Sequence, residues 1–298
     1  MISLNGILAP VVTTFDADGA VDLDAFASNI RAHVTAGLNG VVVTGSTGEA
    51  ALLDDAERAS LITRARSELP SDRTLLIGTG AESTRATIAR TVIAAERGAD
   101  AVLVVAPHYY GDAMTPAALL QHYTRVADAS PVPVMLYSIP KYMHFAISPE
   151  VVAQLSVHEN IIGMKDSSGD ATLFAQYLEL QSERFHVLTG SGVLFGEAVR
   201  LGAYGGILAV SLFAPELSCE VWNAHQRGDR RAAERFQATL TPLAARIVGA
   251  MGVAGVKTAM DCVGRRGGPP RSPLLPITAQ ARAELDELLR AAELVLVA

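Results

Sequence analysis

Apolar and polar residues follow two rhythms along this chain, and the two take turns. Short apolar runs of strand length, such as 101–107 and 132–137, are rich in Val and Leu. They read as parallel strands buried on both faces. Between them lie stretches with apolar residues at helical spacing. The pattern predicts strands at 7–13, 40–43, 75–78, 101–106, 134–137, 161–165, 186–189 and 205–209. The paired helices are expected at 23–36, 54–68, 83–97, 116–129, 148–155, 172–181, 194–201 and 215–227. Strands alternating with helices argue for a parallel sheet, and eight units in about 230 residues fit a closed barrel better than an open one. The expected fold is α/β, a (β/α)8 TIM barrel over 1–228, with a C-terminal helical extension over 229–298. Helices at 232–249, 253–263 and 278–295 make up that extension, interrupted at Gly267-Gly268-Pro269-Pro270.

Composition narrows the picture. Half of the 298 residues are hydrophobic, yet no apolar run reaches the roughly 18 residues that cross a bilayer. Residues 1–10 lack the basic start and long apolar stretch of a signal peptide, so a cytoplasmic location is the expectation. Cys219 and Cys262 have neither metal-ligand spacing nor the look of a disulfide framework. The formal net charge is −7, and basic clusters such as Arg265, Arg266 and Arg271 are small, which gives nucleic-acid binding little support. No complete G-x-G-x-x-G or phosphate-loop motif is present: Gly78-Thr79-Gly80 is followed by Ala81-Glu82-Ser83. Lysine occurs at just three positions, Lys141, Lys165 and Lys257, while arginine supplies the other positive charges. Lysine does what arginine cannot: it loses its proton and attacks a carbonyl.

Barrel enzymes place their chemistry at the C-terminal ends of the strands. There the sequence offers Thr44-Gly45-Ser46-Thr47-Gly48-Glu49, Pro107-His108-Tyr109-Tyr110, Tyr137-Ser138-Ile139-Pro140, Lys165-Asp166-Ser167 and Gly190-Ser191-Gly192. Lys165 closes the apolar strand Ile161-Ile162-Gly163-Met164, where lost solvation disfavours its charged form and makes the amine a nucleophile. A salt-bridged lysine is the competing reading. The Gly-Ser-Thr-Gly turn, ahead of a helix, offers hydroxyls and free N–H groups to a carboxylate or phosphate; it is otherwise an ordinary tight turn. Tyr137 is either a proton shuttle or a rim aromatic.

With these motifs in hand, the chain resembles the dihydrodipicolinate synthase / N-acetylneuraminate lyase family of Schiff-base aldolases, from about residue 6 to 276. Gly45-Ser46-Thr47-Gly48-Glu49, Tyr137-Ser138-Ile139-Pro140 and Gly163-Met164-Lys165-Asp166-Ser167 carry the likeness. The resemblance implies that Lys165 forms an imine with pyruvate, Ser46 and Thr47 hold its carboxylate, and Tyr137 is the general acid/base. It implies that Ser167, Gly190 and Leu208 contact substrate, Gly190 through its backbone. It makes Tyr110 the tyrosine lent across a dimer interface to a neighbour's site, with Tyr109 as the alternative, in a homotetramer built as a dimer of dimers. Its partner is a small 2-oxo acid, with no metal or organic cofactor, the iminium serving as electron sink.

Departures from the family pattern bear on the substrate. The arginine that dihydrodipicolinate synthases carry after the Tyr-x-x-Pro turn is Tyr142 here, followed by Met143-His144. The acidic residues of sialic acid lyases are Gly192 and Val193 here. Local likeness is to 4-hydroxy-2-oxoglutarate aldolase-like members, through Ala117-Ala118-Leu119, His122-Tyr123, Val126-Ala127-Asp128 and the Lys165 motif. His144 is read as a rim residue or part of an unusual acceptor pocket. The expected reaction is retro-aldol release of pyruvate from a 4-hydroxy-2-oxo acid. Dihydrodipicolinate synthesis, sugar-acid dehydration and a non-catalytic 2-oxo acid sensor are the alternatives.

Overall fold

The computed structural model describes residues 3–295. Residues 1–2 and 296–298, part of the N-terminal segment and the C-terminal extension read above, lie outside it. Eight parallel strands close a barrel in sequence order: β1 (Gly6–Pro10), β2 (Gly40–Val43), β3 (Thr74–Gly78), β4 (Ala101–Val105), β5 (Val134–Ser138), β6 (Ile161–Asp166), β7 (His186–Thr189) and β8 (Gly205–Ile207). Nearly every strand residue is buried, as expected where helices cover the outer face and side chains fill the interior. The ring closes where β8 pairs with β1, Gly205 opposite Gly6 and Ile207 opposite Leu8. A Cβ at Gly205 would run into the Gly6 carbonyl, so this seam requires glycine.

The crossovers are α1 (Leu23–Thr35), α2 (Asp55–Glu68), α3 (Thr84–Glu96), α4 (Pro116–Ala129), a short α5 (Pro140–Met143) before α6 (Pro149–Leu155), α7 (Ala171–Leu178), α8 (Phe195–Arg200) and α9 (Pro215–Gln226). Their starts are written in the sequence. Asp22 caps α1, and Asp54 with Glu57 forms a reciprocal capping box on α2. Ser83, Thr115, Ser148 and Asp170 cap α3, α4, α6 and α7, each such cap worth about 1 kcal/mol. Pro116 and Pro149 follow their caps, where no backbone donor is needed.

Beyond the ninth helix run α10 (Arg230–Pro242), a π-helical stretch Leu243–Ala250, α11 (Gly252–Cys262) and α12 (Ala279–Ala291). The single helix expected over 232–249 is thus two conformations. Pro242 lies at the changeover and has no N–H to give, which loosens the α-helical ladder. The strand expected at 7–13 also stops early, at Pro10. Val11 still donates to the Val42 carbonyl at 3.0 Å, but the buried residues after it leave the ladder.

The extension is buttoned to the barrel by charge. Glu49, just after the Ser46-Thr47 turn, and Lys257 on α11 are both fully buried and meet at 2.5 Å. Lys257 also donates to the Pro269 carbonyl at 2.9 Å, and its ammonium lies over the Phe15 ring. Burial pulls the Lys257 ammonium below the usual lysine range, and Glu49 opposes that pull. The second Glu49 oxygen accepts from the Arg271 backbone N–H at 2.8 Å. Arg271 in turn forks onto Glu57 at 2.5 and 2.7 Å. Removing one partner of a buried pair strands the other charge. Lys257→Met is therefore expected to lower unfolding free energy by about 3–5 kcal/mol, and adding Glu49→Gln to restore much of the loss. Denaturant titration of both variants checks this; equal losses would mean that packing, not charge, holds the clasp.

Candidate active site

Lys165 and Tyr137 are register partners on adjacent strands β6 and β5. In a parallel pair such partners point to the same side of the sheet, and here both face the barrel mouth. The Lys165 Nζ lies 4.3 Å from the centre of the Tyr137 ring, and the two side chains are only 6% and 4% exposed. The competing salt-bridge reading fails, since Lys165 has no carboxylate within ion-pair distance among the described residues. Asp166 points elsewhere: its carboxylate accepts from the Ser168 N–H at 3.1 Å and hydroxyl at 2.7 Å. Burial pushes the Asp166 carboxyl up to about 6, against the pull of those hydrogen bonds. The turn they hold swings Ser167 and Ser168 toward the Lys165 cavity.

That cavity is lined by Lys165, Tyr137, Ser46, Thr47, Ser167 and Gly190, among others. Ser46 and Thr47 stand on a single 3-10 turn after β2, where Thr44 and Glu49 on either side adopt left-handed φ of 53° and 56°. Non-glycine residues hold that conformation only when their surroundings enforce it. Here Thr44 Oγ1 donates to the Gly78 carbonyl at 2.8 Å, Thr13 Oγ1 donates to the Gly48 carbonyl at 2.6 Å, and Lys257 grips Glu49. Gly190 follows β7, and its missing side chain makes room for the lysine: a Cβ there would meet the Lys165 Cε at 2.8 Å and collide with the Ser167 hydroxyl.

Two expected residues are not in this cavity. Leu208 is fully buried and does not line it. Ile207 and Ala209 do, so alternation turns Leu208 outward. Its backbone carbonyl is taken by the Ser211 hydroxyl at 2.7 Å. Tyr110 also lies outside, as does Tyr109; they are 70% and 76% exposed, in edge contact at 5.0 Å. The backbone N–H groups of His108 and Tyr109 donate to Glu82 at 2.9 and 2.8 Å. That holds the strand-four motif beside a second, larger hollow on the far side of Ser46 and Tyr137. His144 is exposed with φ 63° and lines neither hollow. Tyr142 lines both, and burial raises its phenol, which keeps it neutral at the position of the family's arginine.

Some of the lining was not foreseen. Ala244, Ala245, Val248 and Gly249 of the π-helical stretch form one wall, and Lys141 on α5 stands at the mouth. The signal for the wall was present as Pro242 followed by the small residues Ala244, Ala245, Gly249 and Ala250. Among the described residues no three His, Cys, Asp or Glu side chains gather as a metal site, and no helix is long and apolar enough to cross a membrane.

A family model for the dihydrodipicolinate synthetase family matches residues 3–292. The chain belongs to that family. It is 37% identical over 285 residues to an uncharacterised DapA-like lyase of Halobacterium salinarum, covering 96% of this chain and 93% of the relative. Among solved structures it is similar to the dihydrodipicolinate synthase DapA-2 of Bacillus anthracis, with a TM-score of 0.93, 31% identity, and 98% and 99% of the two chains covered. It is also similar to a prophage protein of the dihydrodipicolinic acid synthase family from E. coli K12, solved in complex with pyruvate, with a TM-score of 0.92, 30% identity, and 98% and 99% coverage. As a member of the dihydrodipicolinate synthetase family, this chain is a carbon–carbon lyase.

Proposed function

We propose that the protein is a class I aldolase that releases pyruvate from a 4-hydroxy-2-oxo acid such as 4-hydroxy-2-oxoglutarate, through an imine on Lys165. The observation that carries this is the Lys165 amine held 4.3 Å from the Tyr137 ring centre, in the cavity that Ser46 and Thr47 share. The Ser46 and Thr47 hydroxyls, with N–H groups of their turn, hold the substrate's C1 carboxylate. The unprotonated Lys165 amine attacks C2, and the carbinolamine oxygen leaves as water with a proton passed by Tyr137. The resulting iminium draws electrons from the C3–C4 bond. As that bond breaks, the C4 hydroxyl gives its proton to Tyr137, the aldehyde departs, and an enamine remains. C3 then takes a proton, water attacks C2, and pyruvate leaves with Lys165 restored. Tyr142 stands where dihydrodipicolinate synthases carry an arginine, so the acceptor side of the site departs from theirs. Dihydrodipicolinate synthesis is the second reading, favoured by the names of the similar solved structures.

The assembly we infer is a homotetramer, in which the exposed Tyr109–Tyr110 pair meets a second copy and Tyr110 completes its neighbour's site. A panel of 4-hydroxy-2-oxoglutarate, pyruvate with aspartate semialdehyde, and sugar acids, followed by proton NMR, tests the reaction. Pyruvate and glyoxylate from the first are expected. Turnover of pyruvate with aspartate semialdehyde alone would transfer the assignment to dihydrodipicolinate synthesis.

A further inference from the structure

Charge is distributed unevenly around the Lys165 cavity. Its lining holds no Asp, Glu, His or Arg, and two lysines: Lys165 itself and Lys141 at the mouth. The first is consumed by the chemistry proposed above. The second is an exposed lysine that has nonetheless been drawn inward. Its ammonium donates to the carbonyl of Gly249 at 2.9 Å, 108 residues away in sequence, and lies 5.8 Å from the centre of the Tyr142 ring.

That single bond spans the mouth. Lys141 belongs to α5, the turn after β5, and Gly249 belongs to the π-helical wall opposite. An ammonium has three donors. One is used by Gly249, which fixes where the group stands, and no carboxylate lies within ion-pair distance of it among the described residues. The cavity that Lys141 lines also presents Ala244, Ala245 and Val248, together with the hydroxyls of Ser168 and Ser191. Nothing there answers the charge of Lys141. Those neighbours do not suit a cationic tail, which would find no carboxylate in the lining.

We propose that Lys141 binds an anionic group, a carboxylate, at the end of the substrate distal to the imine carbon, so that the enzyme selects dicarboxylic 2-oxo acids over those with neutral tails. This rests on the reading of Lys165 as the imine-forming residue. The ligand is held at both ends: the C1 carboxylate on the Ser46-Thr47 turn and the distal carboxylate on Lys141. The Gly249 carbonyl orients the ammonium beforehand, which lowers the entropy lost on binding.

The test compares two ligands of equal chain length, 2-oxoglutarate and 2-oxopentanoate, which differ at C5 in bearing a carboxylate or a methyl group. Half-saturation of borohydride trapping on Lys165 is measured for each, and for pyruvate as the reference within each variant. In the wild type 2-oxoglutarate is expected to saturate about tenfold lower than 2-oxopentanoate, a difference of about 1.4 kcal/mol. Lys141→Met should bring the two together, and Lys141→Arg should keep them apart. Equal half-saturation in the wild type, or a preference that survives Lys141→Met, would overturn the proposal while pyruvate trapping upholds the imine. If pyruvate is not trapped on Lys165 at all, the imine reading fails and this assignment falls with it.

Discussion

Lys165→Arg is expected to abolish turnover, lowering kcat by on the order of 10⁴ to 10⁶, as loss of a nucleophile does elsewhere. Arginine keeps the positive charge but stays protonated and does not attack a carbonyl. Lys165→Met, which keeps most of the length without the amine, serves as the companion variant for a side chain wedged against Gly190 and Ser167. Trapping with pyruvate and borohydride, followed by peptide mapping, reads the outcome directly. Both variants should give no adduct while remaining folded by circular dichroism. The other two lysines make the result unambiguous. Lys257 is sealed against Glu49 and Lys141 is tied to Gly249. An adduct on either, in a variant that still turns over, would move the nucleophile away from Lys165.

Tyr137→Phe carries the second largest effect. It removes one hydroxyl and leaves the ring on which the Lys165 amine rests. Packing is preserved, so stability should change by no more than about 0.5 kcal/mol. The chemical steps lose their proton carrier, and kcat should fall by about 10² to 10⁴. KM for the 2-oxo acid should move much less, because the carboxylate stays on the Ser46-Thr47 turn. An unchanged kcat would leave Tyr137 as packing for the lysine and require another group to move the proton.

The strand–helix alternation was legible because buried parallel strands leave unmistakable runs. β2 and β7 have the limits read from Val41-Val42-Val43 and Val187-Leu188-Thr189, and the helix starts follow Asp54, Thr115 and Ser148. An apolar run does not reveal where a ladder ends, so β1 was read three residues past its end. The Lys165, Tyr137, Ser46 and Thr47 set was legible because barrel geometry gathers strand ends. Leu208 was not, since resemblance supplies a position but not the phase of alternation beside it. The place of Lys141 at the mouth and the Glu49–Lys257 pair were invisible for one shared reason. Each depends on contacts between distant segments, which no local pattern encodes.

That last pair also has a consequence in time. Glu49 and Arg271 are 222 residues apart in sequence. At a synthesis rate of about 5–20 residues per second, the Ser46-Thr47 loop leaves the ribosome roughly 10 to 40 s before the groups that clamp it. Until then Glu49 is a bare charge whose place is a dry interior, and the left-handed turn at its backbone lacks one of its supports. That turn is thus among the first parts of the molecule to be made and among the last to be completed.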